Sequence, residues 1–110
     1  MPSIEDVAKE NMSVDDEILL EYRGKLDDQD GALLITKEKI LFIQEKGFFK
    51  KTYNYLIDVT HSDVDISKGG GGLEFKLEDG KMHSFKTYRL SVDIITFEYN
   101  QMKDKGMLIF

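Results

Sequence analysis

A chain of 110 residues, 41% apolar and 33% charged, has the size and make-up of one globular domain with a single core. It has no cysteine, which excludes disulfides, thiolate chemistry and cysteine-ligated zinc and points to a reducing, cytoplasmic setting. The formal charge of −6 opposes nucleic acid and anionic bilayers, and the N-terminus lacks a signal-peptide layout; no apolar run approaches the ~20 residues of a transmembrane segment.

Ser3 can cap a helix with Glu5 and Asp6 in its first turn and Ile4, Val7 and Ala8 on one face. A short amphipathic helix is therefore predicted over residues 4–11, inside an N-terminal extension of residues 1–16. From Glu17 the apolar period becomes two, which places Ile18, Leu20, Tyr22 and Leu26 on one face of a strand, opposite Glu21 and Arg23. Asp27-Asp28-Gln29-Asp30-Gly31 reads as a turn cluster. Two apolar strands then flank a charged break at 36–39, the pattern of a β-hairpin over residues 30–43.

Gly47 interrupts the pattern, and residues 48–55 read as an aromatic- and Thr-rich strand that stays extended through residue 60. Residues 63–66 alternate. The segment from Ser67 to Gly72 is expected to be a flexible loop. Residues 73–77 alternate again, and Glu78-Asp79-Gly80 turns the chain. A three-residue loop with Gly80 left-handed groups Phe85 and His83 with Leu73 and Phe75. A two-residue Asp-Gly turn would instead put Phe85 beside Glu74 and Lys76, so the longer loop is preferred. Residues 90–103 form the one long helical candidate, with Ser91 as cap, a stripe of Leu90, Ile94 and Phe97, and Ile95, Tyr99 and Met102 beside it. The apolar tail at 106–110 either packs on the domain or belongs to a longer chain.

The hairpin Gly31-Ala32-Leu33-Leu34-Ile35-Thr36-Lys37-Glu38-Lys39-Ile40-Leu41-Phe42 resembles that of bacterial pleckstrin-homology (PH) and GRAM domains, with Lys39 where arginine is usual. The basic-aromatic stretch from Lys50 to Val59 and the hairpin from Leu73 to Phe85 resemble the segments that follow it in those domains, so the likeness covers residues 17–103. It implies a mainly β, α+β fold: a PH-like barrel of about seven antiparallel strands in two near-orthogonal sheets. One C-terminal helix would cap the barrel, and a short N-terminal helix would precede it. The PH-like domain is then residues 17–105. Members of the family bind lipid head groups, acidic or phosphorylated peptides or other protein surfaces, and some assemble into homo-oligomers; the fold alone does not choose.

The usual phosphoinositide loop here reads Lys25-Leu26-Asp27-Asp28-Gln29-Asp30, whose carboxylates repel phosphate, so that site is expected to be a solvated turn. Lys46, Lys50 and Lys51, interleaved with Phe48, Phe49, Tyr53 and Tyr55, form the basic-aromatic cluster and the candidate binding site. The same pattern also describes a strand with aromatics inward and lysines outward. His61, Asp63 and Asp65 would share a strand face near Asp58 and could hold a divalent metal, although a solvated face explains them as well. The glycine run lacks the Gly-Lys-Ser/Thr and helix of a phosphate loop, and His83 reads as a structural imidazole. No nucleophile, base and acid are arranged for catalysis, and no cofactor is implied. The expected role is a non-enzymatic module for protein or peptide binding, with a second copy of itself among the candidate partners. A membrane adaptor through Lys46, Lys50 and Lys51 is the alternative, and a metal site at His61, Asp63 and Asp65 the third reading.

Overall fold

Ala32-Leu33-Leu34-Ile35 and Ile40-Leu41-Phe42-Ile43 are apolar at every position, and a strand buries every position only when both of its faces are covered. The computed structural model, which describes residues 3–89 and 91–110, covers both. Its elements are α1 (Ile4–Lys9), β1 (Ile18–Leu26), β2 (Gln29–Thr36), β3 (Lys39–Lys46), β4 (Thr52–Thr60), a 3-10 turn (His61–Asp63), β5 (Val64–Gly69), β6 (Gly72–Leu77), β7 (Met82–Thr87) and α2 (Val92–Asp104). The strands form one antiparallel sheet in the order β4-β3-β2-β1-β7-β6-β5. On its inner side Leu33, Ile35, Ile40 and Phe42 join Phe75, Phe85, Ile95 and Leu108 in the main core. On its outer side Ala32, Leu34, Leu41 and Ile43 pack under Ile4, Val7 and Ala8 of α1.

The sheet curls into a half-barrel with β4 and β5, consecutive in the chain, as its two edges; the pairing joins all seven strands where two near-orthogonal sheets were expected. β1 pairs with β7 at Gly24, Lys25 and Leu26, flanked by hydrogen bonds from the Tyr88 N–H to the Arg23 carbonyl and from the Asp27 N–H to the Ser84 carbonyl. Gly24 stands where β1 and β7 pair most closely on the Lys86 backbone. A β-carbon there would lie 2.2 Å from the carbonyl of Lys86 and 2.9 Å from the Phe85 ring, so no larger residue fits without moving backbone.

Several local expectations change. A bulge between Ile18 and Leu20 turns Ile18 to the outer cluster while Leu19 and Leu20 pack inward, so the single face expected of β1 breaks there. The turn after β1 is only Asp27-Asp28, with φ of 49° and 68°, the signature of a type I′ hairpin; Gln29, Asp30 and Gly31 already belong to β2. Residues 67–72 are likewise no loose loop. Gly70 and Gly71, at φ 59° and 79°, make a two-residue turn between paired strands, a conformation that their lack of side chains permits at little cost. The three-residue loop before β7 is present as expected: Leu73 faces Phe85, Phe75 faces His83, and the Leu77 N–H donates to the Lys81 carbonyl at 2.8 Å.

α2 turns its other stripe inward. Ile95 is buried and Val92, Tyr99 and Met102 pack on the core, whereas Ile94 and Phe97 are exposed. Leu90 lies outside the described residues. Ser91 occupies the N-cap position without a side-chain cap bond. The helix closes in a Schellman motif, Met107 N–H to Met102 O at 2.9 Å and Gly106 N–H to Lys103 O at 3.0 Å. The tail then packs back on the domain, burying Leu108 and donating from Ile109 N–H to Lys37 O at 2.8 Å.

Candidate functional site

The basic-aromatic cluster divides. The strand expected at 48–55 starts only at Thr52, and residues 47–51 form the tip of the β3–β4 hairpin. At that tip Phe48 and Phe49 are 89% and 90% exposed and meet edge to face with ring centroids 5.1 Å apart. Tyr53 and Tyr55 belong elsewhere. Both are half-buried against the outer cluster, and the Tyr55 hydroxyl donates to the Val7 carbonyl, fastening α1. Among the lysines, Lys51 reaches Glu45 at 2.5 Å, and that hydrogen bond holds the Glu45 carboxyl below its ordinary range. Lys46 and Lys50 have no ion pair among the described residues.

His61, Asp63 and Asp65 do not share a face, because the chain makes a 3-10 turn at His61–Asp63 before β5 begins. His61 is buried, with Nε2 at 2.8 Å from the Thr36 carbonyl and Nδ1 at 3.0 Å from the Tyr99 hydroxyl. A carbonyl only accepts, so Nε2 carries the proton and Nδ1 accepts from Tyr99. Burial pulls the imidazole pKa down and pushes the Tyr99 phenol up to about 12. Asp63 accepts from the Thr60 hydroxyl at 2.9 Å, and Asp58 is taken by Lys39 at 2.9 Å. Among the described residues no three His, Cys, Asp or Glu side chains gather as metal ligands.

The acidic first turn is structured rather than merely solvated. Asp27 accepts from the Ser84 N–H at 2.9 Å and lies 2.6 Å from His83 Nδ1, while Asp30 accepts from the Tyr88 hydroxyl. Its carboxylates are thus fixed where a phosphate would have to bind.

The feature that sequence reasoning missed is a groove of about 380 Å³ between β5 and α2. Its floor is the inner core, Leu33, Ile35, Leu73 and Phe75; Val64 and Ile66 of β5 form one wall, and Ile95 and Tyr99 of α2 the other. His61 and Phe110 stand at one end, with rings 5.5 Å apart. Toward the other end Lys68 pairs with Asp93 at 2.5 Å, tying β5 to the start of α2. Among the described residues β5 pairs only with β6, so its second edge is open beside the groove. The signal available was Val64 and Ile66 on one strand and Tyr99 on the helix, but the groove exists only once β5 is known to be an edge. A second hollow, about 530 Å³, lies where β1 and β7 part and is rimmed by Arg23, Tyr88 and Arg89. Of its lining, Tyr22 alone belongs to the main core.

No protein-family model and no curated protein matches this chain. No helix of the described residues is long and apolar enough to cross a membrane. Fold and site together define a β-rich half-barrel with an open, partly apolar groove at a strand edge.

Proposed function

We propose that this chain is a non-enzymatic binding module that takes an apolar protein segment in the groove between β5 and α2. The observation that carries the reading is the open edge of β5 beside a groove whose floor is the apolar core. A partner backbone can pair with the strand edge while its side chains enter the groove, which combines main-chain affinity with pocket specificity. A small molecule would use the pocket and leave the strand edge idle. The fold reading that accompanies it is PH-like. The meander β1–β4, joined through β1 and β7 to the meander β5–β7 and followed by one helix, fits the barrel plan that the hairpin motif implies.

The membrane-adaptor reading draws on the exposed Phe48 and Phe49 between lysines. Weighing against it, Lys51 is engaged by Glu45, and the net charge is −6.

Peptides selected from a random library against the folded protein test the groove. Asn100 is exposed at its rim, and Asn100→Trp lays an indole over it without touching the core. Selected binders are expected to be apolar, to protect β5 amides from exchange and to lose roughly tenfold or more in affinity to Asn100→Trp but not to Asn100→Ala. Binders that ignore Asn100→Trp and protect other amides would overturn the assignment.

A further inference from the structure

The Phe48–Phe49 tip needs a partner surface, and the groove needs an occupant. We infer that the two belong together: the tip of one copy docks in the β5–α2 groove of a second copy, a head-to-tail contact that rests on the groove reading above. The tip is a preformed knob, since its two rings already pack edge to face and stand 89% and 90% exposed. Burial of such rings at the centre of an interface is what most often dominates affinity.

Charge selects the same partner. The tip offers Lys46 and Lys50, while the cations of the groove are occupied, Lys68 by Asp93 at 2.5 Å and Lys103 over the Phe110 ring at 5.1 Å. Asp65 is exposed on the groove rim, and Asp63 lies just beyond it. Lysines around a knob therefore meet carboxylates around a groove.

Geometry excludes the intramolecular version. β4 runs nine residues from the tip to the 3-10 turn bearing His61, so knob and groove stand about 30 Å apart at the ~3.3 Å rise of a strand. Each copy thus offers one knob and one groove at opposite ends, and head-to-tail repetition of that contact builds a ring or an open chain. An anionic bilayer is the poorer occupant. By register, the turn at Asp27-Asp28 lies at the tip's end of the sheet, and its carboxylates would face the lipid.

Sedimentation velocity over a concentration series tests the contact on the full chain. Wild type is expected to associate beyond a dimer. Phe48→Asp/Phe49→Asp and Asn100→Trp should each be monomeric alone, and their mixture should form a one-to-one dimer and nothing larger, because one working knob and one working groove remain. The milder Phe48→Ser/Phe49→Ser should behave as the Asp pair, and unchanged circular dichroism keeps folding out of the result. A wild type that stays monomeric while groove-binding peptides are found would overturn this inference and leave the groove reading intact. Association that survives Asn100→Trp would overturn the contact itself. Monomeric protein retained on phosphatidylcholine–phosphatidylserine vesicles, and lost from them with Phe48→Asp/Phe49→Asp, would assign the tip to membranes instead.

Discussion

Thr36 has no solvent exposure, and its hydroxyl holds the β2–β3 hairpin from inside. It donates to Asp16 at 2.8 Å and accepts from the Lys39 N–H at 2.8 Å, while its carbonyl receives the His61 imidazole. One residue therefore joins the segment before β1, the hairpin turn and the end of the groove. Thr36→Val keeps the shape and removes the hydroxyl, leaving a part-buried N–H and a carboxylate short of a partner. The expected cost is about 1–3 kcal/mol, read as a lower urea midpoint at unchanged slope, with Thr36→Ser recovering most of it. A Thr36→Val midpoint equal to wild type would refute the role. The sequence marks 36–39 as a charged turn without chemistry of its own. That reading fails because Asp16 lies 20 residues upstream and His61 25 downstream, contacts that no local pattern carries. The tip illustrates the same limit in reverse: Phe48 and Phe49 are legible as a cluster, but strand propensity turns them inward, and only the loop at 47–51 leaves them in water.

α1 shows how an element is placed by its outer contacts as much as by its apolar face. Ile4, Val7 and Ala8 seat it on β2 and β3, and Glu5 meets Glu21 of β1 at its margin. Partial burial, with Glu5 beside it, pushes the Glu21 carboxyl up to about 7, while the hydrogen bond from Glu21 holds Glu5 below its ordinary range. The pair thus keeps one proton between two carboxylates into the neutral range. An unfolded Glu21 releases that proton near its ordinary pKa of 4.5, so the native state binds more protons between there and about 7. Stability therefore falls as pH rises through that window. His61 acts with the opposite sign. Burial keeps its imidazole neutral, and stability falls as pH drops below 6.5 because only the unfolded chain then takes up the proton. Glu21→Gln retains a donor for Glu5 and cannot ionise. Its urea midpoint should match wild type near pH 5 and exceed it at pH 8; parallel profiles for the two proteins would exclude the shared proton. Elements of this kind were largely legible, since period two, period 3.6 and the Gly and Asp turns locate the helices and most strands within a few residues, but the 3-10 turn at His61–Asp63 reads as strand and the second half of β5 as loop. Which stripe of α2 faces inward was not. Both stripes are apolar, and the choice is made by Tyr99 reaching His61 and by Glu98 accepting the Tyr22 hydroxyl at 2.9 Å.

For the whole molecule, what decides the architecture is a sheet whose β2 and β3 are covered on both sides. The runs at 32–35 and 40–43 carry that information, because a half-solvated sheet would show alternation there. With residues 1–16 read as an extension, the cover for the outer face goes unnoticed, although it stands in the sequence as Ile4, Val7 and Ala8. Removing residues 1–13 would uncover Leu34, Leu41 and Ile43, each now at 0% exposure, and delete Ile4 and Val7, now at 1% and 7%. Each fully buried side chain of this size stabilises by about 1.5–3 kcal/mol. The sum rivals the ~5–15 kcal/mol that holds a typical domain together. The truncated chain should therefore aggregate or bind the dye ANS as a loosened state, through an apolar patch on the sheet's outer face. A synthetic peptide of residues 3–13 added in trans should suppress ANS binding, and the same peptide with Ile4→Asp and Val7→Asp should not. A truncated chain that unfolds at the wild-type urea midpoint without binding ANS would mean that α1 is an appendage and that the outer face needs no cover.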